Sequence, residues 1–172
     1  MSVRSKSALA QSLLRLMMTK DFADISISEI TAGAGLARQT FYTNFDRRED
    51  ILTYLLGGLF ERLHQFYDHS GTISSSFIID YFLFWDKSRD FLTLLYQKGL
   101  GYIFADRNRW FFQAEFPLVC DRRQEPYIRT CLAGLTGELM QLWLTSGDGL
   151  SIEELSNVAE NLLQGRIFSH TA

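Results

Sequence analysis

The spacing of apolar residues constrains this chain more than any other feature. Over long stretches these residues recur at steps of three and four, while the strand-type alternation of apolar and polar residues is nearly absent. Only two prolines, Pro117 and Pro126, interrupt the pattern. The chain is therefore expected to fold as an all-α protein with about nine helices.

Length and composition indicate how many domains the chain can form and in which compartment it acts. With 172 residues, of which 47% are apolar, the chain can form one ordinary domain or two small ones. No stretch approaches the roughly 18 uncharged apolar residues of a membrane span, and the N-terminal MSVRSKSALAQ has no apolar signal core. A cytoplasmic protein without membrane contact is expected, and a net charge of −3 argues against bulk attraction to nucleic acid.

Local signals divide the N-terminal part into short helices. Ser26 and Glu29 form a capping-box pattern that begins a second helix, and Gly35 supplies a left-handed residue that ends it. A third helix is expected over about 37–44. A fourth is expected to begin at Asp46, with Glu49 three residues on, and to run to about residue 68.

The fourth helix is expected to join two domains. Residues 1–50 are predicted to form a three-helix domain, and residues 51–172 a larger helical domain. The polar segment SGTISSS, residues 70–76, is the clearest break in the chain. The stretch from 102 to 125 is expected to be less regular, and Pro126 is expected to open the next helix.

The segment GAGLARQTFYTNF, residues 33–45, carries the main functional signal. Helices this short are unstable alone and need a shared apolar core. The residues expected to face that core are Ile27, Ile30, Ala34, Leu36, Phe41 and Phe45. The other face of the third helix contains no acid and is made of Arg38, Gln39, Thr40, Tyr42 and Asn44. Such a face suits the DNA major groove, where Arg bonds guanine and Gln bonds adenine. A small polar helical hairpin is the alternative.

Residues 6–52 are similar to the N-terminal helix-turn-helix domain of the TetR (tetracycline repressor-like) family. The matching features are F-x-x-I-S-I-x-x-I at 22–30, A-G-L at 34–36, T-F-Y-x-x-F at 40–45 and the basic-acidic-acidic-aliphatic run at 48–51. Two positions depart from the family pattern: Ala37 replaces a helix-capping Ser or Asn, and Thr31 replaces an alanine. The missing cap weakens the third helix by about 1 kcal/mol.

The resemblance implies a set of DNA-contacting residues. Arg38, Gln39 and Thr40 are expected to approach base edges or phosphates, and Tyr42 and Arg48 to hold the DNA backbone. The Ser26 hydroxyl, or the N-terminus of the second helix that begins beside it, is expected to contact a DNA phosphate. Asn44 is expected to make an extra contact. The partner is then a palindromic double-stranded operator, read by a homodimer.

In this family the C-terminal domain binds a small-molecule effector and forms the dimer, and residues 128–163 are similar to its final helix pair. The expected dimer interface consists of Leu132, Leu135, Leu139, Leu142, Trp143, Leu155, Val158 and Leu162. The alternative is that both helix faces are buried within one monomer. An effector cavity lined by aromatic residues is the weaker expectation, because the same rings suit a solid core. The proposed lining is Phe82, Trp85, Phe104, Trp110, Phe111 and Phe116.

Enzymatic and metal-binding functions find little support in the sequence. Gly99-Leu100-Gly101 lacks the third glycine of a dinucleotide site, and no phosphate-binding GxxxxGK[ST] loop is present. Cys120 and Cys131 have no CxxC spacing, and His64 and Asp68 lack further ligands. No enzyme activity, cofactor or metal is expected. The expected function is a homodimeric TetR-like repressor released by an effector; the alternative is a TetR-fold regulator that acts through a protein partner rather than DNA.

Overall fold

The computed structural model describes residues 3–70, 77–116, 118, 120–147 and 149–164. These residues contain nine α-helices and no strand, which confirms the all-α prediction. The helices are α1 (Val3–Met17), α2 (Ile27–Gly33), α3 (Arg38–Asn44), α4 (Arg48–Ser70), α5 (Phe77–Asp86), α6 (Arg89–Gln97), α7 (Gly101–Trp110), α8 (Glu125–Thr145) and α9 (Ile152–Leu163).

The chain divides into two compact units, Met1–Leu59 and Phe60–Ala172, and α4 contributes residues to both. The predicted domain boundary after residue 50 stays a prediction. Most of the predicted break at 70–76 lies outside the described residues, as does Pro117.

In the first unit, α1 packs on α2 and α3. Its inner face is made of the fully or almost fully buried Leu9, Ala10, Leu13 and Met17. Ser12 is also buried, and its hydroxyl occupies the place where a side chain at Gly33 would begin. The Arg15 guanidinium donates a hydrogen bond to the Gly33 carbonyl at 3.0 Å. A glycine at position 33 therefore lets α1 and α2 approach closely.

The predicted capping of α2 is confirmed. The Ser26 hydroxyl accepts from the Glu29 backbone N–H at 3.2 Å, and the Glu29 carboxylate accepts from the Ser26 N–H at 2.9 Å. After α2, Gly35 has φ +66°, a left-handed value that disfavours other residues. A short 3₁₀-helix, Phe22–Asp24, precedes α2 and was not expected from the sequence.

The predicted start of α4 at Asp46, with Glu49 as its capping partner, is wrong. The helix begins at Arg48, and Asp50 makes the capping bonds. The Asp50 carboxylate accepts from the backbone N–H groups of Asp46 at 3.0 Å and Arg47 at 2.8 Å. Asp50 lies in the first helical turn and its short side chain reaches back to both donors, which would otherwise lack a helical acceptor.

The second unit is built around packed aromatic rings. The ring centroids of Phe60 and Trp85 are 4.7 Å apart, and those of Trp85 and Phe104 are 5.0 Å apart. Phe77 and Phe116 form another close pair at 4.7 Å. Edge and tilted contacts of this kind add stability beyond the area that they bury.

The expectation of irregular structure over 102–125 is wrong for its first part. Helix α7 runs through Trp110 and continues as a π-turn, Phe111–Glu115. Arg129 of α8 holds the end of this turn by donating to the carbonyls of Phe112 at 2.5 Å and Phe116 at 2.8 Å. The local sequence gives no sign of this contact, because Arg129 lies in another helix.

Helices α5, α7 and α8 share a buried polar connection. The Asn108 side-chain oxygen accepts from the Tyr81 hydroxyl at 2.6 Å, and its amide donates to the Ala133 carbonyl and the Thr136 hydroxyl at 3.2 and 3.0 Å. Because all three helices contribute, this connection specifies their mutual register.

The predicted starts of α8 and α9 are confirmed. Pro126 lies in the first turn of α8. Ser151 and Glu154 form the capping box of α9, with the Ser151 N–H donating to the Glu154 carboxylate at 2.8 Å. The hydrogen bonds to Ser151 hold the pKa of Glu154 below its usual value.

Candidate nucleic-acid interface

Helix α3 is anchored by aromatic side chains on its inner face. Phe41 is fully buried and Phe45 is 6% exposed, with their ring centroids 6.1 Å apart. Phe45 also contacts Tyr54 of α4, at a centroid distance of 5.9 Å. The short helix is therefore held from behind, as its apolar positions predicted.

The outer face of α3 carries exposed polar side chains. Arg38, Gln39 and Tyr42 are exposed, and Thr40 is half-buried. The Arg38 guanidinium donates to the Tyr42 hydroxyl at 3.2 Å and lies 5.8 Å from the Tyr42 ring centroid. These side chains form a single outward surface that contains no acidic residue.

Asn44 turns back onto its own helix. It is half-buried, and its side-chain amide donates to the Thr40 carbonyl at 2.6 Å. Thr43, which was not among the predicted contacts, is exposed instead, and its hydroxyl donates to the Gln39 carbonyl at 3.0 Å. The spacing of four residues between Gln39 and Thr43 is the signal that places both on one helical face.

The start of α3 has no side-chain cap, as the alanine at position 37 predicted. Ala37 occupies the N-cap position in an extended conformation, and no side chain bonds the first backbone N–H groups. The first turn consequently lacks a side-chain capping bond, and it is closed by the Thr40 N–H, which donates to the Ala37 carbonyl at 2.9 Å.

The Ser26 hydroxyl is already engaged within the protein. It donates to the Glu29 carboxylate at 2.8 Å and accepts from the Glu29 backbone. Glu29 also forms a short ion pair with Lys20. The hydrogen bonds from Lys20 and then from Ser26 lower the pKa of Glu29 to about 2, so this carboxylate is ionised at neutral pH. A phosphate near Ser26 would have to compete with an internal carboxylate.

Arg48 faces inward rather than toward solvent. Its guanidinium donates to the Phe22 carbonyl at 2.9 Å and the Ala23 carbonyl at 3.2 Å, and also bonds the Ile25 carbonyl. It lies 4.8 Å from the Phe22 ring centroid. All three bonds come from one nitrogen, Nη1, so this part of the guanidinium is engaged within the protein. The contact of Arg48 with a DNA phosphate stays a prediction.

The predicted effector lining is largely packed core. Phe82, Trp85, Phe104 and Phe111 are fully buried, Phe116 is 3% exposed, and only Trp110 of the six predicted residues is substantially exposed, at 46%. A surface hollow of about 170 Å³ lies between α7 and α8, and its lining includes Arg109, Gln113, Glu138, Gln141, Gly134 and Gly137. None of the six predicted lining residues borders this hollow.

The predicted dimer residues fall into two groups. Trp143 and Leu155 are each 3% exposed within the monomer, and the Trp143 indole N–H donates to the Leu150 carbonyl at 2.9 Å. The others are partly or well exposed: Leu132, Leu135, Leu139, Leu142, Val158 and Leu162. Leu142, near the C-terminal end of α8, is 62% exposed.

The part of the chain that the structure describes contains no helix long and apolar enough to cross a membrane. The same residues bring together no group of three or more His, Cys, Asp or Glu side chains at metal-ligand distance. Of the weak predicted pair, only His64 has a described side chain, since that of Asp68 falls outside.

Sequence comparison finds a relative among transcriptional regulators. Over 65 residues, 38% of this chain, the sequence is 35% identical to the "HTH-type transcriptional regulator EthR" of Mycolicibacterium smegmatis. The match covers 30% of that relative, less than a third of its length. No protein-family model matches the chain.

Structure comparison extends the likeness to almost the whole chain. The fold matches that of the "Dihydroxyacetone kinase operon activator DhaS" with a TM-score of 0.62, covering 96% of this chain and 97% of the other. The sequence identity is 19%, so this likeness shows the fold alone. The two comparisons agree with the predicted resemblance: part of the sequence is similar to a transcriptional regulator, and the all-helical fold is similar to that of another.

Proposed function

We propose that this chain is a DNA-binding transcriptional regulator whose α3 enters the major groove of duplex DNA. The observation that carries the proposal is the acid-free outer face of α3, which is braced by buried Phe41 and Phe45. The regulator names of the relative and the structural neighbour support it. As such a regulator, the protein acts in the cytoplasm and is not an enzyme.

Fewer residues are proposed to contact DNA than the sequence indicated. Arg38 and Gln39 are assigned to base edges, because both are exposed and carry forked hydrogen-bonding groups. Tyr42 and Thr40 are assigned to the sugar-phosphate backbone beside them. Ser26 and Asn44 are secondary contacts, since both already hydrogen-bond within the protein.

The proposed assembly is a homodimer. Leu132, Leu135, Leu139 and Leu142 leave an apolar surface partly uncovered along α8, and Val158 adds to it from α9 at 37% exposure. A symmetric pair of such surfaces can form a four-helix contact. Two recognition helices about 34–36 Å apart would then read the two halves of a palindrome.

The proposed regulation is repression that a small-molecule effector relieves. The aromatic content of the second unit suits a ligand site, but most of the predicted lining rings are buried and pack on one another. An effector must bind the DNA-free form more tightly, with a coupling that is typically 1–3 kcal/mol.

Selection of duplexes from a random DNA pool tests the proposal. The expected result is a palindromic sequence whose binding falls steeply as salt increases. The Arg38→Ala variant should then bind about 5- to 150-fold more weakly, the range for one bidentate base contact. Arg62→Ala is the matched control, because Arg62 is an exposed arginine of the second unit. If no sequence is enriched and the protein captures another protein instead, the partner-protein alternative replaces DNA binding.

A further inference from the structure

Arg48, the first residue of α4, contacts the segment of the chain that leads into α2. Its guanidinium reaches the carbonyls of Phe22, Ala23 and Ile25, which lie more than 20 positions earlier in the sequence. All three contacts use one guanidinium nitrogen, Nη1, whose two N–H groups share the three carbonyl oxygens, and the group stays charged. The ring of Phe22, 4.8 Å from the guanidinium carbon, covers one face of the group.

The three carbonyls belong to the 3₁₀-helix and to the residue directly before the N-cap of α2. The Phe22 carbonyl also accepts from the Ile25 N–H at 3.3 Å, so Arg48 binds the same oxygen as the hydrogen bond that closes this turn. On the other side of the N-cap, Glu29 bonds Ser26 and pairs with Lys20. The entry into α2 is therefore held from both sides.

Helix α2 in turn packs directly on α3. Because α2 has only seven residues, its direction depends on how its first residue is held. A change at the entry into α2 should therefore reach the outer face of α3 without changing any residue on that face.

We propose that Arg48 is a positioning residue of the DNA interface and not a phosphate contact. It fixes the entry into α2 against the start of α4, and through α2 it sets the angle at which α3 meets the groove. The inference rests on the proposed DNA-binding function, but its effect on the α2 entry can be measured without DNA.

The first test compares the salt dependence of DNA binding in Arg48→Gln and the wild type. The probe is a duplex recovered from a random pool by the wild-type protein, at a temperature well below the unfolding midpoint of both proteins. Affinity should fall about tenfold, the size of one charge-assisted hydrogen bond, while the slope of log K against log salt stays unchanged. Arg47→Gln measures the effect of removing one exposed positive charge at the neighbouring position.

Two results would overturn the inference. If Arg48 contacts a phosphate, the slope should become shallower by about 0.9 for each phosphate that the variant no longer neutralises. If Arg48 only stabilises the fold, the unfolding temperature should fall while the affinity of the folded protein stays at the wild-type value.

Amide hydrogen exchange tests the same inference on the free protein. In Arg48→Gln, the amides of Asp24 and Ile25, which close the 3₁₀-helix, should exchange about tenfold faster. Arg47→Gln should leave them at the wild-type rate. Unchanged exchange at both amides would refute the positioning role even if no DNA is found, whereas faster exchange without DNA binding would reject only the proposed function.

Discussion

The Arg38 guanidinium donates a hydrogen bond to the Tyr42 hydroxyl across one turn of α3, at 3.2 Å. The same group lies 5.8 Å from the centre of the Tyr42 ring, which in turn meets the buried Phe41 edge-on at 5.4 Å. A long side chain restrained in this way loses less conformational freedom when it binds DNA. The proposed base contact is therefore partly organised before DNA arrives.

Replacement of Tyr42 by Phe should weaken DNA binding without unfolding the protein. The change removes the hydroxyl that restrains Arg38 and that is also assigned to the DNA backbone, but it keeps the ring against Phe41. A loss of roughly two- to tenfold in affinity is expected, the range for one neutral hydrogen bond. Fluorescence anisotropy with labelled duplex measures it, with Tyr102→Phe, an exposed tyrosine of α7, as the control. Equal affinity of both variants would show that the Arg38–Tyr42 bond is irrelevant to recognition.

Two glycine-to-alanine substitutions should change stability in opposite directions. At Gly35, where φ is +66°, alanine should destabilise the protein by about 1–2 kcal/mol because L-residues disfavour this conformation. No neighbouring atom lies within 4 Å, so the cost is conformational and not a clash. At Gly57, which lies within α4 and also has open space, alanine should stabilise by about 0.5–1 kcal/mol. Urea unfolding curves of the two variants and the wild type measure both values; the same sign for both would contradict the argument.

The stability of the first unit should depend on the ionisation of Glu29. The hydrogen bonds from Lys20 and Ser26 lower the pKa of Glu29 to about 2, below the value of an unfolded glutamate. A depressed folded-state pKa gives stability that is fully present above the unfolded pKa of about 4.3 and is lost as the pH falls toward 2.

Replacement of Glu29 by Gln isolates this contribution. Wild type should unfold at a higher temperature than Glu29→Gln at pH 7, and the difference should shrink steadily between about pH 5 and pH 2. Thermal unfolding monitored by circular dichroism at several pH values measures it. Glu153→Gln, at an exposed position in the first turn of α9, is the control for the loss of one surface carboxylate. A difference that does not vary with pH would contradict the assigned cause.

A charge at Leu142 should separate the proposed dimer. Leu142 is 62% exposed in the single chain, so Leu142→Glu should leave the fold intact while placing a carboxylate in the proposed apolar contact. Sedimentation velocity should show dimers for the wild type and monomers for the variant at micromolar concentration. Tyr127→Glu, on another part of α8 and outside the predicted interface, should remain dimeric. A dimeric Leu142→Glu would place the interface elsewhere.

Features that depend on near neighbours in sequence were predicted from the sequence. The capping boxes at Ser26 and Ser151, the left-handed glycine at position 35 and the proline that opens α8 are all confirmed. Each is fixed by chemistry within about four residues, where spacing alone determines which groups can meet. The inward position of Phe41 follows from helical periodicity in the same way.

Features that depend on distant contacts were missed. A basic residue at the start of α4 is visible in the sequence, but nothing there reveals that the carbonyls at 22, 23 and 25 lie within reach of Arg48. The sequence offers carboxylates at both Glu49 and Asp50, and only the structure shows that Asp50 accepts from the N–H groups of Asp46 and Arg47. The π-turn after α7 is likewise held by Arg129 from another helix.

That π-turn contains one residue more than an α-helical turn needs. Deletion of a single residue between Phe111 and Glu115 should restore regular α-helical spacing and rotate everything after it by about 100° around the helix axis. Phe116 would leave its place between Phe77 and Phe111, and the carbonyls that receive Arg129 would turn away. The extra residue of the π-turn therefore sets the rotation of the chain that follows it. That rotation determines whether the Phe116 ring faces the core.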